Sequence, residues 1–253
     1  MALEALLAKL RALIADRLDP AFTTNPFRDL DRRFVIAKSP RSGSHLLCEG
    51  LLAHGAIVDE FFNIKRIVEE SDRLGLVRFE DYCRIVLSEF TVGGTFGVQG
   101  APQILLPLIE AGELPRFAAD WKFVYLRREN AVRQAISQFI AKYSGSWISF
   151  QQGGVLEDND FDGREIAGIA KILAATDRAW EEAFTLYEVE PLRITYESLD
   201  ADPAGVCASA ALHVGLNGPP VAGGRILKAR PQRQATDLNA RWEARFRAEG
   251  WEA

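Results

Sequence analysis

Cysteine is scarce in this sequence: three in 253 residues, Cys48, Cys83 and Cys207, far apart and odd in number. That count excludes a disulfide framework, and the lack of any Cys-X-X-Cys pair excludes the usual redox and zinc spacings, so the three read as buried thiols. Histidine is as sparse, with His45, His54 and His213 and no His-X-X-X-His, which leaves a zinc hydrolase without a ligand set; no metal is expected. His54 reads as the end of a helix and His213 as a structural position within one. No apolar run approaches the roughly 18 residues of a spanning helix, so no transmembrane segment is expected. An excess of basic charge is also missing: 30 Lys and Arg against 35 Asp and Glu give −5, and a nucleic-acid partner is not expected. The first stretch, MALEALLAKLRALIADRLD, lacks the uninterrupted apolar centre and small-residue cleavage site of a secretory signal, which points to a cytoplasmic protein.

What remains is the composition of an ordinary globule of one large domain. Leu3, Leu6, Leu7, Leu10, Leu13, Ile14 and Leu18 recur at helical spacing, so residues 1–30 read as an amphipathic helix and linker whose stripe serves packing or a dimer contact. Adsorption to a membrane is the sharper alternative, opposed by the balance of Glu4, Asp16 and Asp19 against Lys9, Arg11 and Arg17. Residues 31–253 read as a single domain. Short apolar runs, Phe34 to Ala37, Thr95 to Val98 and Phe123 to Leu126, alternate with helical patterns at Leu46 to Leu52, Gln103 to Ile109 and Ala131 to Tyr143, the pattern of βαβ units on a parallel sheet and hence an α/β fold. Asp162 with Glu165 predicts a capping box opening a helix to about Leu186, Leu192 to Tyr196 a strand, Asp202-Pro203 a helix start, and Ala235 to Arg247 a last helix. Residues 144–162 are the most loop-like and a candidate lid.

The sharpest feature is Phe34-Val35-Ile36-Ala37-Lys38-Ser39-Pro40-Arg41-Ser42-Gly43-Ser44-His45-Leu46-Leu47: a buried-type strand, a polar glycine-containing turn and a helix start. The first amides of a helix lack intrahelical partners and carry the positive end of its dipole, so such a turn binds anions. Gly43 permits close backbone approach, Ser42 and Ser44 bring hydroxyls, and Arg41 a planar cation suited to an oxyanion. Gly-X-X-X-X-Gly-Lys-Ser/Thr is missing, which removes the main support for ATP and magnesium. Arg127 and Arg128 follow the third apolar run, where a parallel sheet delivers ligand-binding groups, and Arg133 and Ser137 share a helix face. A solvated ion network of Arg127, Arg128, Arg133 and Glu129 is the competing reading of that cluster.

Pro40-Arg41-Ser42-Gly43-Ser44 with Leu46-Leu47 resembles the 5′-phosphosulfate loop of sulfotransferases, specifically of the bacterial trehalose 2-sulfotransferase family. Val58-Asp59-Glu60-Phe61-Phe62 resembles that family's Pro-X-Glu-aromatic-Phe segment, Arg128 through Gln134-Ala135-Ile136-Ser137 its 3′-phosphate motif, and Arg233-Gln234-Ala235 with Trp242 its C-terminal stretch. The resemblance runs from about Phe34 to Arg247 and implies a P-loop NTPase-like three-layer α/β/α fold with a mostly parallel sheet, a homodimer, and 3′-phosphoadenosine 5′-phosphosulfate as sulfuryl donor without a metal. It further implies transfer to a carbohydrate or glycolipid-type hydroxyl. Glu60 would be the general base, with Asp59 as its adjacent competitor, and Arg41 would stabilise charge at the transferring group. Arg41, Ser42, Gly43, Ser44 and His45 would hold the phosphosulfate, Arg128 and Ser137 the 3′-phosphate, and Arg233 would also contact the donor. The aromatic flank Phe61-Phe62 is expected to desolvate Glu60 and raise its pKa, and Phe62 and Trp147 to line the acceptor site. Two positions depart from the family pattern: His45 stands where threonine is usual and Gln99 where lysine is usual. A nucleotide-dependent kinase of related fold, or a nucleotide-binding protein with altered catalysis, are the alternatives.

Overall fold

Alternation along each strand decides which side of the sheet a residue serves, and here it sorts the core into two layers. The computed structural model describes residues 2–113, 117–147, 154–218 and 237–252. Five strands occur among them: β1 (Arg32–Lys38), β2 (Val58–Asp59), β3 (Thr95–Gly100), β4 (Lys122–Arg127) and β5 (Leu192–Thr195). They form one sheet in the order β2-β3-β1-β4-β5, every pair parallel. The expected α/β architecture is therefore present, with helices on both faces and the switch in strand order beside β1.

On β1, Phe34 and Ile36 point to one face, where they meet Leu47 and Leu51 of α2 (Ser44–Leu52) and Ala210 and Ala211 of α10 (Pro203–His213). Val35 and Ala37 point to the other, where the main cluster includes Phe61, Phe62, Phe96, Trp121 and Trp180. Trp180 lies on α8 (Gly163–Leu186), opened by Asp162, whose carboxylate accepts from the amide of Glu165 as anticipated. The Glu165 carboxylate does not complete the box; it is taken by Lys142 and Tyr143 of α7 (Ala131–Ser144). A third cluster joins α7 and α8 to α11 (Asp237–Ala248) through Phe139, Ile166, Trp242 and Phe246.

Helix α1 (Ala2–Ala15) buries Leu3, Leu10 and Ile14 in the main cluster, together with Leu18 just beyond it. Most of the apolar stripe thus packs inside the chain, with Leu6 and Leu7 partly buried and Leu13 exposed. Helices α3 (Ile64–Leu74) and α4 (Phe79–Phe90) follow β2, and two short helices, α5 (Leu105–Glu110) and α6 (Phe117–Asp120), separate β3 from β4, with α9 (Tyr196–Ala201) after β5.

One buried carboxylate, Glu80, and one partly buried, Glu243, fasten peripheral segments. Glu80 of α4 accepts from the Thr23 amide at 2.7 Å and hydroxyl at 2.9 Å, from the Thr24 hydroxyl, and from Arg78 and Arg84 at 2.9 Å each. Glu243 of α11 accepts from Asn130 at 2.9 Å, from Arg133, and from Arg247 at 3.0 Å. Burial pushes both carboxyls up, but these donors outweigh it and bring each from 4.5 down to about 2. A folded-state pKa below the unfolded value contributes stability above pH 4.5 that is lost as pH falls towards 2. The melting temperature is expected to drop across that window, and Glu80→Gln, already lower at neutral pH, to show a shallower drop; an identical acid profile for the variant would dissociate Glu80 from the effect.

Candidate active site

β1 runs into the loop Ser39 to Gly43, which turns through two left-handed residues, Arg41 at φ 64° and Gly43 at φ 88°, before α2 begins. Gly43 is the N-cap of α2 and brings no side chain to its amides. A Cβ at Gly43 would lie 2.5 Å from the Tyr196 ring, so both conformation and space demand glycine there. The loop is braced from behind: Gln134 donates to the Ser39 hydroxyl at 2.9 Å and to the Pro40 carbonyl at 2.7 Å, and the Trp180 indole donates to the Lys38 carbonyl at 3.2 Å. The Ser42 hydroxyl is buried without a hydrogen-bond partner among the described residues.

Arg41 reaches from this loop to α7, its Nε donating to the Ser137 hydroxyl at 2.9 Å, and one Nη donates to the carbonyl of Trp147. Arg128, directly after β4, donates to the Arg41 carbonyl at 3.4 Å and lies 4.6 Å over the Tyr196 ring. Arg41, Arg128 and Ser137, which sequence reasoning placed at opposite ends of one ligand, thus form a single cluster. Burial and then the Arg128 charge lower the Arg41 guanidinium to about 10. Two guanidiniums that oppose each other in this way suit an anion of more than one charge.

On the second-cluster face of the sheet, Lys38 follows Ile36 in alternation, and Glu60, just beyond β2, pairs with it: the Lys38 ammonium donates to Glu60 Oε1. Asn63 donates to the other carboxylate oxygen at 3.5 Å. Burial raises the Glu60 carboxyl, but Lys38, His45 and Asn63 outweigh it and the net shift is downward. The expected upward shift is therefore corrected: Phe61 and Phe62 turn away into the core, and an ammonium takes the place the aromatic flank was to fill. Phe62 itself is fully buried against Phe27 and Phe96 and is a core residue, not an acceptor wall. Asp59 points to the opposite face, where Arg66 holds it at 2.7 Å, so the adjacent carboxylate is removed from competition.

His45, on the first turn of α2, is lowered by burial and then by Lys38, against the raising effect of Glu60 and Asp59, which puts a neutral imidazole beside the pair. Ser44 is buried at the helix start, Trp147 is 44% exposed beside Arg41, and Arg133 has turned away to Glu243 and fastens α11. Arg233 lies outside the described residues. Sequence reasoning missed Lys38 and Tyr196. Lys38 stood in the quoted string as a strand residue, and only its alternation with Ile36 carried a signal; for Tyr196, which meets Gly43 and Arg128 from distant parts of the chain, there was none.

An all-parallel α/β sheet whose first strand feeds a glycine loop and a helix N-terminus, with arginines from the loop and from the next strand, defines a protein of the P-loop-like class. Residues 114–249, more than half of the chain, match the family described as Stf0 sulphotransferase, and the chain belongs to that family. The matched stretch contains Arg128 and Ser137; the loop, Lys38 and Glu60 precede it. No curated protein sequence matches the chain. Among solved structures it is similar to the sulfotransferase domain from the Synechococcus PCC 7002 olefin synthase, at 14% identity and a TM-score of 0.48, with 92% of this chain and 91% of that one covered. Among the described residues no helix is long and apolar enough to cross a membrane, and no group of three His, Cys, Asp or Glu could hold a metal ion.

Proposed function

We propose that this member of a sulfotransferase family uses 3′-phosphoadenosine 5′-phosphosulfate and transfers its sulfuryl group to a hydroxyl of a carbohydrate or glycolipid-type acceptor. The observation that carries the reading is the convergence of Arg41, Arg128 and Ser137 on the loop before α2, three groups from three elements at one anion-receptive helix end. The residues fit such a donor: the Ser42 hydroxyl, without a partner among the described residues, and the α2 amides, which no side chain caps, would take the 5′-phosphosulfate, and the arginine cluster the remaining phosphate. When bound, the donor supplies an activated sulfur with a good leaving group; the chain supplies alignment, charge neutralisation and a proton acceptor. Glu60, ionised by its partners, is that acceptor, and His45 is the nearest alternative. Trp147 offers an exposed ring for an acceptor sugar.

A thermal shift tests this directly. Adenosine 3′,5′-bisphosphate at about a hundred times its Kd is expected to raise the melting temperature by about 5–10 °C in magnesium-free buffer. ATP is expected to protect less, with or without magnesium. Protection by ATP that depends on magnesium, without protection by the bisphosphate, would establish the kinase reading instead.

A further inference from the structure

Lys38 is 5% exposed, the one buried lysine among the described residues. A buried ammonium is costly unless paired, and an apolar residue would close the strand at lower cost, so the charge at this place calls for a use. Its carboxylate partner among the described residues is Glu60. Between them lies Gln99 of β3: the register sets Gln99 beside Ile36 of β1 and Val98 beside Asp59 of β2, which brings Lys38, Gln99 and Glu60 to one face at the carboxyl edge of the sheet. Gln99 is fully buried, and neither its amide nitrogen nor its amide oxygen has a hydrogen-bond partner among the described residues. Leaving both ends of an amide unmet costs stability, and a bound polar group that meets them explains why they are there.

We propose that Lys38 and Gln99 form the sulfuryl subsite: the Lys38 ammonium contacts the oxygen that bridges phosphorus and sulfur, and the Gln99 amide donates to a sulfuryl oxygen. This rests on the donor proposed above. The acceptor oxygen forms a bond to sulfur while the bond from sulfur to the bridging oxygen breaks. The electron pair stays on that oxygen, which becomes a phosphate oxygen of adenosine 3′,5′-bisphosphate, and the acceptor's proton passes to Glu60. Lys38 keeps its proton and neutralises the leaving oxygen. In exchanging Glu60 for the donor, it also leaves the carboxylate open to the acceptor.

The test compares two probes by calorimetry, 3′-phosphoadenosine 5′-phosphosulfate and adenosine 3′,5′-bisphosphate, which differ by the sulfuryl group. In Lys38→Met the affinity for the first is expected to fall about tenfold or more while that for the second changes less than about threefold. Lys38→Met/Glu60→Gln, which leaves no carboxylate without its ammonium, is expected to show the same selective loss with a native-like melt. Lys38→Met/Gln99→Lys, with the ammonium returned from the neighbouring strand, is expected to regain most of it. Gln99→Leu is expected to melt higher than wild type yet bind the phosphosulfate several-fold more weakly. Equal losses for both probes, or none, in the folded double variant overturn the subsite. Failure of the wild-type protein to bind either probe removes the donor reading itself, and the subsite with it.

Discussion

Glu60→Gln is expected to lower sulfuryl transfer by about a hundredfold to ten-thousandfold while adenosine 3′,5′-bisphosphate still protects the protein from heat. The amide keeps the shape of the carboxylate and its place beside Asn63 but cannot take a proton. Transfer is read by mass spectrometry as an added sulfo group after incubation with the phosphosulfate donor and a metabolite extract. The ion pair also sharpens the expectation. Lys38 holds the carboxylate below its ordinary range, so Glu60 is ionised across the neutral range and loses its role only in acid. Turnover unchanged in the variant would take Glu60 out of the chemistry and leave His45, the neutral imidazole on the same edge, as the base.

Arg41→Gly separates binding from stability. Its guanidinium bonds Ser137 and the Trp147 carbonyl, and loss of such charge-assisted contacts to a donor is expected to weaken adenosine 3′,5′-bisphosphate by about tenfold to a hundredfold. Stability is expected to stay within about 1 kcal/mol of wild type, because glycine relieves a left-handed non-glycine backbone that costs on the order of 1–3 kcal/mol and removes the repulsion from Arg128. A residue kept against local strain and like charge, whose removal costs binding but little stability, is the signature of a ligand site. A variant that binds as well as wild type would show that the loop is held for packing alone.

Four apolar runs became the strands β1, β3, β4 and β5, because strands within a parallel sheet must be largely apolar; the two-residue β2 at Val58–Asp59 has no such run and was not anticipated. The loop after β1 was equally readable, since polar residues and glycine between a buried strand and a helix start leave few other conformations. Helices α3 and α4 went unremarked, although α3 is punctuated at both ends by the Asn63 N-cap and the left-handed Gly75; α4 opens on Arg78, which makes no side-chain cap.

From composition, periodicity and one loop string, the chain's sequence determined the α/β class and the anion-receptive turn; the carboxylate Glu60 became a group to watch only through the family resemblance. Tertiary structure alone decided the charge state of that carboxylate, the withdrawal of Phe62 into the core and the meeting of Arg41 with Arg128. The reason is that each depends on which residues of distant strands come to share one face and one edge of the sheet. Lys38 and Glu60 are 22 positions apart in the chain and Arg41 and Arg128 are 87 apart, and only the register of β1 with its neighbours brings them within reach.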